Sequence, residues 1–151
     1  MMERPDRCER YIGVLLGGCI GDILGSTNEG KTFDSIRATE MVTKFHTNTY
    51  TDDTELTLAL ARYLALNHDD EIHLIAQKVH EMYRDIVTTS NRSYSSNTRC
   101  ILTNWSRCML AGSSDTNGSI MKIAPMALIN CKSDRKLYDK IKLVMLCTHG
   151  E

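Results

Sequence analysis

The stretch Ile72-His73-Leu74-Ile75-Ala76-Gln77-Lys78-Val79-His80-Glu81-Met82-Tyr83-Arg84-Asp85-Ile86 decides the fold class. Ile72, Ile75, Ala76, Val79, Met82, Tyr83 and Ile86 recur at intervals of three and four. That spacing gathers apolar side chains on one face of an α-helix. Lys78, Glu81 and Arg84 fall on the opposite, polar face. Asp69, Asp70 and Glu71 come directly before, where carboxylates favour the positive end of a helix. The pattern predicts an amphipathic helix with a core on one side of it.

Working outward, Asp53 to about Asn67 repeats the pattern, with Leu56, Leu60 and Leu64 on one face and Ala59 and Tyr63 beside them. Arg10 to Gly25 reads as a further helix in which Gly17, Gly21 and Gly25 recur every four residues, a small-residue stripe that would let another helix approach closely. Its most apolar part, Tyr11 to Leu24, contains Asp22 and is too short to span a bilayer, so a buried helix is expected. On the other side, Thr88 to Asn97 reads as a polar loop, and Thr98 to Leu110 as a helix holding the one tryptophan, Trp105, and ended by Gly112. Ser119 to Asn130 and Lys136 to Cys147 complete the series, the latter with Leu137, Ile141, Val144 and Met145 at helical spacing. Met41 to Phe45 is short enough to be strand or helix, and no alternation of period two appears elsewhere. The fold class predicted is all-α, built from stacked helices.

With prolines only at positions 5 and 125, no repeat and no low-complexity tract, nothing divides the 151 residues, and a single domain over 1–151 is expected. Hydrophobic residues at 42% and charged residues at 25% are ordinary globular values. A formal net charge of −1 gives no field to gather polyanions, so nucleic acid is not an implied partner, and no membrane segment is implied either. The six cysteines, Cys8, Cys19, Cys100, Cys108, Cys131 and Cys147, form no C-x-x-C pair and sit mostly among apolar neighbours, so they read as reduced, buried thiols. No apolar signal-peptide core follows the first residues, which favours the cytosol.

Three clusters carry chemistry. Tyr50-Thr51-Asp52-Asp53-Thr54 places two carboxylates and a hydroxyl at a helix start, hard oxygens of the kind Mg²⁺ prefers. Asp52 followed by Glu55 also reads as an N-cap with a capping-box partner, but capping occupies only one side chain and leaves Asp53 and Thr51 unexplained. Gly21-Asp22-Ile23-Leu24-Gly25, with Glu29 beyond, follows no strand and lacks full G-x-G-x-x-G spacing, so it is no dinucleotide fingerprint. There Asp22 reads as a partner for neighbouring backbone, whereas Glu29 has no local task. Ser113-Ser114-Asp115-Thr116-Asn117-Gly118-Ser119 opens a further segment, where backbone N–H groups suit an anion, although such a turn is commonplace by itself. Thr148-His149 ends the last apolar run, and a lone histidine says little.

Taken in order, Gly21-Asp22-x-x-Gly25…Glu29, Tyr50-Thr51-Asp52-Asp53-Thr54, Asn117-Gly118-x-x-Met121-Lys122-x-x-Pro125 and Thr148-His149 resemble the ADP-ribosylglycohydrolase family, including its ADP-ribosylhydrolase type, over about Tyr11 to His149. The resemblance implies an all-α fold of stacked orthogonal helices and a centre of two Mg²⁺ ions, with Mn²⁺ as a substitute. Thr51, Asp52 and Asp53 would supply one half of the metal ligands. Glu29 would stand beside the metals as a ligand or as an acid or base, in catalysis together with Asp52 and Asp53. Ser114, Asn117 and Gly118 would line the diphosphate and distal ribose, and His149 would contact ADP-ribose from the far wall. The implied reaction is magnesium-dependent hydrolysis of the glycosidic bond joining ADP-ribose to an arginine or serine side chain, so an ADP-ribosylated protein or ADP-ribose is the implied partner.

Three departures from the family pattern stand out. Thr116 occupies a position where glycine is usual, Lys122 one where arginine is usual, and the family's C-terminal Asp-x-Asp-Thr signature does not follow His149. The expectation is therefore an N-terminal portion of the fold, incomplete at its C-terminus, whose metal site needs a C-terminal half or partner chain. A module that binds ADP-ribose without hydrolysing it, or a relic, is the alternative.

Overall fold

The computed structural model describes residues 6–26, 28–29, 49–67, 72–104, 118–129 and 133–149. Its elements are α1 (Arg7–Ser26), α2 (Asp52–Leu66), α3 (Ile72–Thr89), α4 (Ser96–Thr103), α5 (Gly118–Lys122), a 3₁₀ helix (Ala124–Leu128) and α6 (Asp134–Leu146). Among the described residues there is no strand, and the fold is all-α. Met41 to Phe45, Asp69 to Glu71, Trp105 to Gly112 and Ser113 to Asn117 lie outside the described residues.

The amphipathic faces of α2 and α3 make the centre. Leu56, Leu60, Tyr63 and Leu64 of α2 join Ile75, Val79, Tyr83 and Val87 of α3 in one buried cluster. Ala59 of α2, Tyr94 ahead of α4, Ile101 and Leu102 of α4, Met126 of the 3₁₀ helix, Val144 of α6 and Cys147 just after it complete it. Each Leu, Ile, Val or Met side chain among them contributes about 1.5–3 kcal/mol by leaving water. α3 packs against α4 and α6, while α2 carries α1, α5 and the 3₁₀ helix. α2 is thus the element against which everything near its N-terminus is positioned.

α1 departs from expectation, because none of its residues is buried. Its apolar residues form two adjacent stripes at i, i+4, i+8 spacing. Tyr11, Leu15 and Cys19 are half-buried, whereas Ile12, Leu16 and Ile20 are exposed. Tyr11 ties the covered side down, donating from Oη to the Leu128 carbonyl at 2.7 Å. The glycine stripe is open too. A Cβ built on Gly13, Gly17, Gly21 or Gly25 meets nothing within 4 Å, so among the described residues no helix uses the close approach these glycines allow.

Local chemistry moves several other boundaries. α3 runs on to Thr89 because the Thr88 and Thr89 hydroxyls donate back to the Asp85 carbonyl, and α4 begins at Ser96 because Ser95 caps it, accepting from Thr98 N at 3.0 Å. The predicted loop therefore shrinks from both ends. The segment expected from Ser119 to Asn130 is two short helices, broken where Pro125 has no N–H to give. Among the described residues the cysteines form no disulfide, and only Cys147 is buried; Cys8 is exposed on the first turn of α1, and Cys19 and Cys100 are half-covered. No described helix is long and apolar enough to cross a membrane.

Candidate functional site

The N-terminus of α2 is capped twice, once from within and once from another helix. Thr51, not Asp52, is the N-cap: its backbone is extended, at φ −95° and ψ −169°, and its hydroxyl accepts from Asp53 N at 3.4 Å. Glu55 does not close a capping box, because its carboxylate accepts instead from Tyr94 Oη at 2.7 Å. The reason is Asp22 on α1. Its carboxylate accepts from Thr51 N at 2.8 Å, Thr51 Oγ1 at 2.6 Å and Thr54 Oγ1 at 2.6 Å, with a longer bond from Thr54 N at 3.4 Å. An anion at a helix N-terminus is favoured by the dipole, and charge-assisted bonds of this kind contribute about 1.5–3 kcal/mol each. With the orphan N–H groups served from α1, Asp52 is released from capping. It becomes the first residue of the helix, with Asp53 the second.

Those two carboxylates are electrically crowded. Burial pushes Asp53 up to about 6, and the neighbouring charges of Asp52, Asp22 and Glu29 push the same way, against Lys122. Asp52 is raised for the same first reason, with Glu29 and Asp22 adding to it while a backbone hydrogen bond and Lys122 oppose. Glu29, just past the end of α1 and exposed, thus acts through space on both aspartates despite its distance in sequence. Asp22, Glu29 and Asp53 line one cleft of about 400 Å³ between α1 and α2, whose other wall includes Leu58 and Met121. A larger cleft of about 600 Å³, near Tyr11 and Pro125, has no carboxylate or histidine in its walls.

α5 brings the opposing charge. Thr57 of α2 donates from Oγ1 to the Asp53 carbonyl at 2.6 Å, and to the Met121 carbonyl at 3.4 Å, which holds α5 beside the acidic pair. Lys122 is 3% exposed, and burial pulls its ammonium down to about 8, partly countered by Asp53 and Asp52. It stays charged at neutral pH. His149, buried beside the end of α6, is lowered to about 4 by burial and by the Lys122 charge, so its imidazole is neutral at neutral pH; Nδ1 shares a 2.8 Å hydrogen bond with Thr148 Oγ1. Lys122 is thus coupled both to the carboxylates and to His149.

Thr51, Asp52, Asp53 and Glu29 therefore share one region, and His149 is linked to it through Lys122. Gly118 is the first residue of α5. Ser114 and Asn117 lie outside the described residues. The sequence reading missed two participants. Asp22 reads from the sequence as a partner for nearby backbone, whereas its partners lie 29 and 32 positions away. Lys122 reads from the sequence only as a replacement for arginine, although a charge between Met121 and Ile123 on a short apolar segment is a signal of burial that needs a partner.

As a donor set these residues suit a hard cation in part. Thr51 Oγ1 gives its proton to Asp22 and keeps lone-pair capacity, and the acidic crowding at Asp52 and Asp53 is the kind a divalent ion relieves. No three His, Cys, Asp or Glu side chains converge as a ready cage among the described residues. Asp22 is committed to α2.

The family model of the ADP-ribosylglycohydrolases matches residues 3–151, and the chain belongs to that family of glycohydrolases. No curated protein and no solved structure matches the chain significantly.

Proposed function

We propose that the cleft serves hydrolysis of the glycosidic bond between ADP-ribose and a protein side chain, arginine or serine, with Mg²⁺ held by Thr51, Asp52, Asp53 and Glu29. The observation that supports it best is Asp53 itself. A carboxyl pushed to about 6 by burial and by three other carboxylates is poised to exchange protons near neutral pH and to welcome a cation. Bound magnesium would fix ribose hydroxyls and offset the charge that changes at the anomeric carbon. The chain's own residues set the stage for that. Asp22 fixes the turn that carries both aspartates, Glu29 adds an exposed carboxylate to the same cleft, and Lys122 holds positive charge beside them.

The four donors named fill only part of the roughly six positions around each ion, so binding in the millimolar range is expected. The test is release of ADP-ribose from ADP-ribosyl-arginine and ADP-ribosyl-serine with MgCl₂, with EDTA, and with Asp52→Asn. Release that needs magnesium and Asp52 supports the reading, whereas release indifferent to EDTA defeats the metal assignment. A second reading, binding of ADP-ribose without cleavage, draws on the absence of a converged cage among the described residues. Tight ADP-ribose binding with no release at any magnesium concentration would favour it.

A further inference from the structure

The turn carrying Thr51, Asp52 and Asp53 is anchored by α1 on one side, and a second, independent anchor reaches it from the connection between α3 and α4. Arg92 places its guanidinium 4.0 Å from the centre of the Tyr50 ring and donates from Nη1 to the Tyr50 carbonyl at 3.2 Å. Tyr50 immediately precedes the N-cap. Two residues past Arg92, Tyr94 is buried and donates to Glu55, on the other flank of the acidic pair. The connection is itself locked. Arg99 of α4 donates to the carbonyls of Val87 at 2.8 Å, Ser90 at 3.3 Å and Arg92 at 3.2 Å, while its guanidinium lies 5.3 Å from the Tyr94 ring centre. One cation thereby closes the C-terminal end of α3 and fixes the backbone from which Arg92 and Tyr94 project.

We infer that the connection between α3 and α4 is a brace for the candidate site, with Arg92 and Tyr94 as positioning residues that hold Tyr50 and Glu55 and so fix the turn bearing Asp52 and Asp53. The geometry is more than a stabilising patch. Both contacts fall on the residues that bracket the Thr51 cap; Tyr94 reaches Glu55 from within the hydrophobic cluster, whereas Arg92 lies outside it. A guanidinium stacked on an aromatic ring while bonded to the adjacent carbonyl restrains both the ring and the peptide plane. Because an ion site depends on side chains held within a fraction of an ångström, loosening this turn would be felt there before it is felt in the core.

The experiment is amide hydrogen exchange followed by NMR on the whole chain, comparing wild type with Arg92→Ala, Arg92→Lys and Tyr94→Phe. Exchange of the Thr51, Asp53 and Thr54 amides should quicken about tenfold in Arg92→Ala, with Val79 and Ile101 changing far less. Arg92→Lys, which keeps a cation over Tyr50, should recover much of the protection. Tyr94→Phe, which removes one hydroxyl from a retained ring, supplies a milder version should the alanine variant fold poorly. Exchange that is unchanged at the turn, or that quickens uniformly throughout, overturns the brace. A second readout rests on the metal reading: Mn²⁺ affinity should fall in Arg92→Ala by a similar factor. Local loosening without any Mn²⁺ binding by wild type would leave the brace standing and remove the metal. Mn²⁺ binding unaffected by a loosened turn would show that the brace does not act on the ion site.

Discussion

With its pKa pushed up to about 6, Asp53 is ionised at neutral pH only against burial and the neighbouring carboxylates. The sign of the consequence follows from linkage. A carboxyl raised from 3.8 toward 6 binds its proton more tightly folded than unfolded, so its contribution to stability is lost as pH rises through that window. Asp53→Asn should therefore melt higher than wild type at neutral pH without divalent ions, by about 2–4 °C for about 1 kcal/mol after solvent screening. The difference should vanish near the bottom of the window, where wild type is protonated as well. Thermal melts of both proteins across pH test this, and equal midpoints at neutral pH would show that Asp53 is not crowded. Asp22→Asn should do the opposite, losing about 1–3 kcal/mol because the amide cannot reproduce a carboxylate that accepts from two N–H groups and two hydroxyls. Of these two residues only Asp53 was legible in the sequence, since its neighbour Asp52 is adjacent along the chain. The partners of Asp22 depend on where α1 crosses α2, and no local pattern encodes that crossing.

The helices were legible to the degree that packing agreed with periodicity. α3 is legible from its start at Ile72 to Ile86, three residues short of its end, because one face of it meets α2, α4 and α6, whereas α1 misleads because the sequence shows apolar stripes without showing which of them is covered. The α2 cap was misassigned for a related reason: Asp52 is a good local cap, but an anion from α1 does that work and leaves the role to Thr51. The open glycine stripe gives a test at this scale. Gly17 faces space, so Gly17→Ala should gain the helix propensity of alanine, about 1 kcal/mol, and raise the melting midpoint by about 2–4 °C. Circular dichroism melts decide it. A lower midpoint would mean that something packs against Gly17 closely enough to exclude a methyl group.

For the molecule as a whole, magnesium and protons should compete, and heat can report the competition without any substrate. An ion that binds the folded chain alone stabilises it by RT ln(1 + [Mg²⁺]/Kd), about 1.4 kcal/mol at tenfold excess over Kd. For a chain of this length that is a rise of about 3–6 °C. With two aspartates, one hydroxyl and Glu29 as donors, Kd is expected to be millimolar, so about 10 mM MgCl₂ reaches that regime. Below pH 6 the ion must displace the proton from Asp53, and about one pH unit lower its affinity should fall about tenfold, which reduces the rise to about 1 °C. His149 acts in the same acid range but independently of the ion: lowered to about 4, it stays neutral in the folded chain while the unfolded chain takes up a proton below 6.5, so stability from this group is lost as pH falls. The two effects separate because only the first depends on magnesium. Melts with and without MgCl₂, at neutral pH and near pH 5, should show a large ion-dependent rise only at neutral pH, and Asp53→Asn should abolish most of it. An equal rise at both pH values, or one that persists in Asp53→Asn, would place the ion elsewhere on the protein.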